Sequence, residues 1–468
     1  MEKLPILRFG EVYESSQKCE IYDNQNKVMS QISVAIPLIY KTDITRRSKA
    51  VSKKLRDTDI NQIFQWIKRA GEIFMSEDVD IGGTVQSPQK YCDNIMRVTG
   101  LPLSTCKDIL KDVRNHMGHI DEIVQNQFRI DDLQVLNTFK TTFKAMMYSI
   151  APKADILCVV MPGNHPIVNI MWIIAFAMKY PILIKPSFDD PYTPLRLIYS
   201  LISAGADKEF FSFYPVGHSE VTELLKTSGC GIIFGGKDIK ELYSNYPWIR
   251  VHGPGNSKII VGKDCMADIE EIARFAAKSA MFHSGRACIN TSAIIVENDA
   301  EALAAAIGRV FSKVEAKDLE DAEATLGAEK DKHKAEMIAA AVKQIINSGK
   351  FVDMTPDVEI IRYYNNRVYL MPKVLYCKDV NDPSFGIEYP FPFVMVGEVG
   401  ESKIGDLLAG TLSCCVLSEN NNLIKEVLVS SGIEKIYQGF TDSCRMDFGM
   451  PHNGFISDFL YKYKAFKC

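Results

Sequence analysis

The sequence predicts an α/β protein whose first half carries a mostly parallel sheet with helices on both faces. Two patterns carry that expectation. From Ala154 onward, short apolar runs alternate with longer runs of helical spacing at a regular interval. Those apolar runs end in turn-forming or cationic residues, at Met161-Pro162-Gly163-Asn164-His165-Pro166, Lys185-Pro186-Ser187 and Gly235-Gly236-Lys237. Length adds a third constraint: 468 residues exceed what one hydrophobic core holds, so two or three domains are expected.

Composition bounds the function classes. Hydrophobic content of 47% and charged content of 24% belong to an ordinary globular protein. A net charge of −4 without a basic tail argues against a nucleic-acid partner and a polybasic membrane patch. The start, Met1-Glu2-Lys3-Leu4-Pro5, lacks a secretory leader pattern, so a cytoplasmic protein is expected. The longest apolar run, His165 to Ile184, is interrupted by Asn169, Lys179 and Pro181 and reads as a buried helix followed by a strand, with no membrane span. Twelve cysteines are scattered without CxxC pairs, as reduced thiols would be. His116 and His119 could share a helix face, but no third ligand accompanies them, so no metal site is expected.

In chain order, residues up to about 55 mix short β-like runs with polar turns and a basic cluster, Arg46-Arg47 to Lys53-Lys54, read as a solvated face. Asp57 is expected to cap a helix carrying Ile60, Ile63, Phe64, Ile67, Ala70 and Phe74, and a second helical region covers about 103–125. Strands are then expected at Asp155–Val160, Pro181–Ile184, Phe211–Val216, Gly231–Phe234, Ile249–Val251 and Lys258–Val261. Helices follow His165-Pro166 and cover Thr193–Ala204, Ser219–Thr227 and the run to Tyr243. Past residue 290 come helices at 299–314 and 328–347, joined by a charged loop or helix at 315–327. Strands close the expectation at 358–364, 367–370, 374–377 and 394–396.

In an open parallel sheet the ligand lies beyond the carboxyl ends of the strands, where Asn164, Lys185, Ser187, Gly235, Gly236 and Lys237 fall. Phe234-Gly235-Gly236-Lys237 leaves a strand and opens a helix, a place for a phosphate, but it lacks the full dinucleotide-fingerprint spacing, and by itself a plain tight turn is the favoured reading. Lys185 is a ligand cation or an exposed loop lysine. His283-Ser284-Gly285-Arg286-Ala287-Cys288 lies on a Gly-containing loop between a helix and a strand, where a thiol and its own N–H can meet one carbonyl. An inert buried cysteine is the other reading.

Taken in order, Pro162-Gly163-Asn164-His165-Pro166, Ile184-Lys185-Pro186-Ser187, Phe234-Gly235-Gly236, Gly285-Arg286-Ala287-Cys288 and Glu388-Tyr389-Pro390-Phe391-Pro392 resemble the aldehyde dehydrogenase superfamily. The resemblance implies a Rossmann-type cofactor-binding domain, an α/β catalytic domain and a small oligomerisation extension. It implies a nucleotide-binding domain at 1–257, with an oligomerisation segment near 133–150, a catalytic domain at 258–435, and a return segment with an oligomerisation strand at 436–468. Cys288 is then the nucleophile and Asn164 the oxyanion donor. Lys185, Ser187, Gly235, Gly236, Lys237 and Glu388 are cofactor-binding residues, Glu388 at the nicotinamide ribose.

One departure points to a branch. Hydrolytic members carry a general-base glutamate where this chain has Val251, before His252-Gly253-Pro254-Gly255-Asn256. That turn resembles the CoA-acylating branch. The run Lys185-Pro186-Ser187-Phe188-Asp189-Asp190-Pro191-Tyr192-Thr193 resembles the LuxC-type fatty acyl-CoA reductases of luminous bacteria. The resemblance implies reduction of an acyl-CoA or acyl-carrier thioester to an aldehyde through an S-acyl cysteine. It also implies a homodimer or homotetramer, and an acyl-protein synthetase as partner. Phe188 replaces a ribose-gripping glutamate, which favours NADPH and leaves NADH open, with Asp189 and Asp190 close enough to reverse the preference. His252 is either an acid/base group or a core-edge histidine. An acyl phosphate reductase and a non-catalytic scaffold of the same fold are the competing readings.

Overall fold

The structure, a computed structural model, describes residues 2–143, 146–399, 404–441 and 446–466. Its contacts divide into two compact units, one formed by Met1–Val98, Cys106–Gly253 and Phe448–Cys468, the other by Thr99–Thr105 and Pro254–Asp447.

The first unit is built on a seven-stranded sheet. Its strands run, in spatial order, Ile249–His252, Gly231–Phe234, Leu157–Val160, Ile182–Lys185, Phe211–Phe213, Ile6–Arg8 and Glu11–Tyr13. The first five are parallel; Ile6–Arg8 runs opposite to them, joined by antiparallel pairings to Phe211–Phe213 on one side and Glu11–Tyr13 on the other. All four residues of Leu157–Val160 and of Ile182–Lys185 are buried, as continuous apolar runs between two helical layers must be. The apolar run after His165 forms the helix Ile170–Ala177, buried on every side. From the Leu157–Val160 strand the chain winds outward through Ile182 and Phe211, then returns to the other side at Gly231. A topological switch point therefore lies between Leu157–Val160 and Gly231–Phe234.

The second unit has its own seven-stranded sheet, ordered Phe351–Asp353, Lys373–Cys377, Phe393–Glu398, Thr291–Val296, Ser257–Val261, Thr411–Leu417 and Ile433–Gln438. Only the Phe351–Asp353 edge is antiparallel. Helices Ile269–Met281 and Ala300–Phe311 cover one face, burying Ala273, Ala276, Ala280, Leu303 and Ile307 against Ile259, Ile294 and Cys415.

Several elements depart from the sequence expectation. The basic cluster lies on a 21-residue helix, Pro37–Asp57, and not among turns. Two of its cations are held in ion pairs, Arg47 with Glu209 at 2.9 Å and Lys53 with Asp57 at 2.8 Å. Asp57 therefore ends a helix; the cap of Ile60–Ser76 is Asp59, whose carboxylate accepts the Asn61 N–H at 2.9 Å. The region from residue 103 is two helices, Leu103–Gly118 and Ile120–Phe128, so His119 does not continue the helix that carries His116. Its Nδ1 bonds to the Asn115 carbonyl, while the His116 ring packs edge-on to Phe448. The 315–327 segment is a loop, pinned by the fully buried Leu319. A helix at Pro88–Thr99 and the strands Thr411–Leu417 and Ile433–Gln438 lie outside the sequence expectation altogether.

The tail strand Tyr461–Phe466 pairs antiparallel with Met146–Pro152, which pairs with Lys140–Phe143. Of the expected 133–150 segment, residues 144 and 145 lie outside the described residues, as do residues 442–445, 467 and 468 of the expected 436–468 segment. Among the described residues no helix is long and apolar enough to cross a membrane.

Candidate active site

In the first unit the carboxyl ends of the parallel strands lie side by side. Val160 is in register with Lys185 on one flank and with Ile233 on the other, and Phe234 with His252. This one row gathers the 161–166 turn, the 185–190 turn and the 234–237 turn at the switch point. Gly163 cannot carry a side chain, because a Cβ there would run into Ser187 Oγ and the Asp189 Cβ. Asn164, next along, is exposed.

Lys185 is not the exposed loop lysine of the alternative reading. It is 3% exposed, and burial pushes its ammonium down to about 8, with the charges of Asp189 and Cys158 opposing. The ammonium sits 5.1 Å from the Phe188 ring centroid and makes no hydrogen bond among the described residues. A buried cation without an acceptor is costly unless a ligand supplies one. Ser187 Oγ accepts the Asp189 N–H at 3.1 Å. Asp190 is buried and committed, its Oδ1 accepting the Thr193 N–H at 3.0 Å at the start of helix Tyr192–Ser203; burial pushes it up to about 6. Gly235 and Gly236 are half-buried, with the Gly235 N–H on the His252 carbonyl at 3.0 Å. Lys237 opens the six-residue helix Lys237–Leu242 and reaches into solvent, 3.9 Å from Glu241.

His252 is a core histidine. It is 3% exposed, stacks on Phe234 at 5.1 Å, and its Nδ1 lies 3.1 Å from Asn453 Oδ1. Burial, helped by the Arg250 charge, pushes it down to about 3, so it is neutral at ordinary pH and unsuited to proton transfer.

In the second unit the helix Ile269–Met281 ends in a kinked turn, Phe282–Gly285, before the strand Thr291–Val296. His283 and Ser284 take left-handed φ of 45° and 63°. Gly285 has φ 72°, and a Cβ there would collide with the Phe391 backbone. Three groups the sequence reading did not single out hold this loop. Arg286 donates to the carbonyls of Thr99 (2.5 Å) and Ala328 (2.8 Å) and to Glu329 (3.0 Å). Asn290 accepts the Ala287 N–H at 2.7 Å and donates to the carbonyls of Ser279 (2.7 Å) and Phe282 (2.9 Å). Ser257 Oγ donates to the Cys288 carbonyl at 3.0 Å. Gly255 lies directly under that carbonyl, where any Cβ would overlap it. The only local signal for these roles was the polar Asn290 two residues after Cys288.

Cys288 is half-buried and packs against the cluster of Ala287, Ile289 and Leu412. Burial pushes its thiol up to about 12; the Glu388 charge adds to that, and the Lys435 charge opposes it. Glu388 Oε2 accepts the Asn256 N–H at 2.8 Å, so this carboxylate caps the turn beneath Cys288. Burial raises it, while the Asn256 and Gly255 amides and Lys258 lower it. Lys258 is itself buried and pushed down to about 8, donating to the Asn256 carbonyl and to Thr411 Oγ1, both at 2.8 Å.

The family profile described as "Aldehyde dehydrogenase family" matches residues 84–396, which include Asn164, Lys185, Cys288 and Glu388. The chain belongs to the aldehyde dehydrogenase family. Among curated relatives of this family member, aldehyde dehydrogenase 1A1 of Oryctolagus cuniculus is 28% identical over 149 residues, and that of Homo sapiens likewise. These matches span about 30% of this chain and about 30% of the relatives' own length. Among solved structures, the aldehyde dehydrogenase KauB from Pseudomonas aeruginosa superposes with a TM-score of 0.79 at 14% identity, covering 100% of this chain and 96% of its own. An aldehyde dehydrogenase from Brucella melitensis biovar abortus 2308 gives 0.80 at 13%, covering 99% and 98%. At such identities the superpositions establish the aldehyde dehydrogenase fold.

Proposed function

We propose that this aldehyde dehydrogenase family member reduces an acyl-CoA, of fatty acyl type, to the aldehyde with NADPH, through an acyl group carried on Cys288. The observation that carries the reading is the 251–256 segment. Val251, paired with Ile233 in the sheet, stands where hydrolytic members place the glutamate that activates water. Glu388, the carboxylate whose charge acts on Cys288, has one oxygen committed to the Asn256 amide.

The Cys288 thiolate attacks the thioester carbonyl, and the carbon–sulfur bond to CoA breaks, CoA leaving as its thiolate. The resemblance assigns the side-chain amide of Asn164 and the Cys288 N–H to the oxyanion of that step. With Val251 in place of the glutamate that activates water in hydrolytic members, the acyl group stays on Sγ. A bound nicotinamide cofactor supplies the hydride that reduces it. Loss of the Cys288 thiolate from the resulting thiohemiacetal then releases the aldehyde. Exchange between two thiols of similar leaving ability makes the first step reversible.

The first unit fits a nicotinamide dinucleotide. Lys185 offers a buried cation lacking an acceptor at the switch point, beside the 235–237 turn. One of the superposed structures, a 3,6-anhydro-L-galactose dehydrogenase with a TM-score of 0.77, is a complex with NAP. Preference for the 2′-phosphorylated form follows from Phe188, from the commitment of Asp190 to its helix, and from the exposed Lys237. A charge-assisted contact to that phosphate is worth roughly 1.5–3 kcal/mol, so kcat/KM should favour NADPH by about ten- to a hundredfold. Lys237→Ala should lower kcat/KM for NADPH alone. Preference for NADH, or equal loss with both cofactors, would refute the phosphate contact. Run with acyl-CoA and acyl phosphate in parallel, the assay also tests the activity itself. Aldehyde from acyl phosphate alone would make this an acyl phosphate reductase, and aldehyde from neither would favour a scaffold. The exposed edge strand Tyr461–Phe466 suits the assembly into dimers or tetramers that the resemblance implies.

A further inference from the structure

Ser257 opens the strand Ser257–Val261 and is 1% exposed. The pairing of that strand with Thr291–Val296 slips at its first step: Ser257 is opposite Thr291 and Lys258 opposite Ala293. Ser292 falls between the two pairs, and its hydroxyl donates to the Ser257 carbonyl at 3.3 Å. A bulge of this kind is rare between parallel strands, and bulges gather beside active sites. At that slip the Ser257 hydroxyl donates to the Cys288 carbonyl, at 3.0 Å.

The residues leading up to that hydroxyl are each fixed by a separate contact. The Gly255 carbonyl accepts the Leu412 N–H at 2.8 Å. Asn256 takes a left-handed φ of 42°, a conformation that is costly for residues with a side chain. Its N–H is held by Glu388 and its carbonyl by the buried Lys258, both at 2.8 Å. Lys258 also donates to Thr411 Oγ1 at 2.8 Å, which ties the turn to the neighbouring strand. A strained turn clamped by two side chains of opposite charge is more than a simple chain reversal requires.

We infer that Ser257 is a positioning residue for the nucleophile. Its hydroxyl fixes the Cys288 carbonyl, and with it the backbone that aims Cys288 Sγ and N–H at the acyl carbonyl. This rests on the reading of Cys288 as the acyl carrier. Upstream of Cys288, Arg286 and Asn290 hold the loop; Ser257 supplies the hold on the downstream side. Gly255 leaves the carbonyl room to reach that hydroxyl, because any Cβ there would overlap it. Loss of the hydroxyl frees rotation about the Cys288 Cα–C bond. A small misplacement of reacting atoms costs rate and spares affinity.

The test compares two reactions of one thiol in the full-length chain without cofactor, each read by intact mass and peptide mapping. Acylation by saturating acyl-CoA needs the oxyanion donors in place, whereas alkylation by iodoacetamide needs only an accessible thiolate. Ser257→Ala should slow acylation at saturation about tenfold and leave the half-saturating acyl-CoA concentration unchanged. Its alkylation rate should stay within about twofold of the unmodified chain. Ser257→Thr and Ser257→Val introduce β-branched side chains of the same shape, so their difference isolates the hydroxyl. Ser257→Thr should acylate about tenfold faster than Ser257→Val. Equal acylation rates for that pair would overturn the inference, even if Ser257→Ala did not fold. So would alkylation slowing in step with acylation, since a general disturbance of the loop changes both. The reading beneath it fails separately. An acyl group mapped to a residue other than Cys288 removes the nucleophile, and the role of Ser257 with it; acylation of Cys288 that ignores Ser257 removes the positioning role alone.

Discussion

Cys288→Ser is expected to fold normally and to lose aldehyde production by a factor on the order of 10⁴–10⁶, the range seen when a covalent nucleophile is removed. The fold should survive because the loop is held by groups other than the thiol. Arg286 and Asn290 anchor it to backbone carbonyls, and Ser257 holds the Cys288 carbonyl. A serine hydroxyl fits the same space, but a hydroxyl ionises far less readily than a thiol and stays almost wholly protonated at neutral pH. Assay of aldehyde formation, with labelling by a radioactive acyl-CoA, checks the expectation. Label persisting on another cysteine would move the nucleophile elsewhere.

Asn164→Ala should lower kcat by about 10²–10³ with little change in KM. It removes one donor to an oxyanion that exists only in the transition state. The neighbouring structure should be unaffected, because Asn164 is exposed whereas the packing of its turn depends on Gly163 and on the buried His165. A raised KM with kcat unchanged would show that Asn164 binds substrate and does not stabilise charge.

The parallel sheet was legible because its strands are apolar runs stopped by Gly, Pro or Lys; Gly231–Phe234 matches residue for residue. The helix Pro37–Asp57 was not. It buries only Tyr40, Asp43, Ile44, Val51, Ser52 and Leu55, and the dense cations between them hide the stripe. The buried lysines were equally hidden. Lys185, Lys258, Lys373 and Lys435 look like solvent-facing residues until the structure shows each one 2–7% exposed. For Lys373 the charge is plainly answered, by Asp353 at 2.8 Å. Of the site, the strand-end residues and Cys288 could be read from turns and order along the chain. The capping of the Gly255-Asn256 turn by Glu388 could not, because it joins residues 132 positions apart.

The intact mass of the protein after mixing with an acyl-CoA, without cofactor and with free CoA removed, separates thiol exchange from hydrolysis. The chain should gain one acyl group on Cys288 that persists in buffer for many minutes and is discharged when free CoA is returned. An acyl group lost to water at the same rate with or without CoA would mean that a base activates water despite Val251, and the acyl-CoA reductase reading would fall.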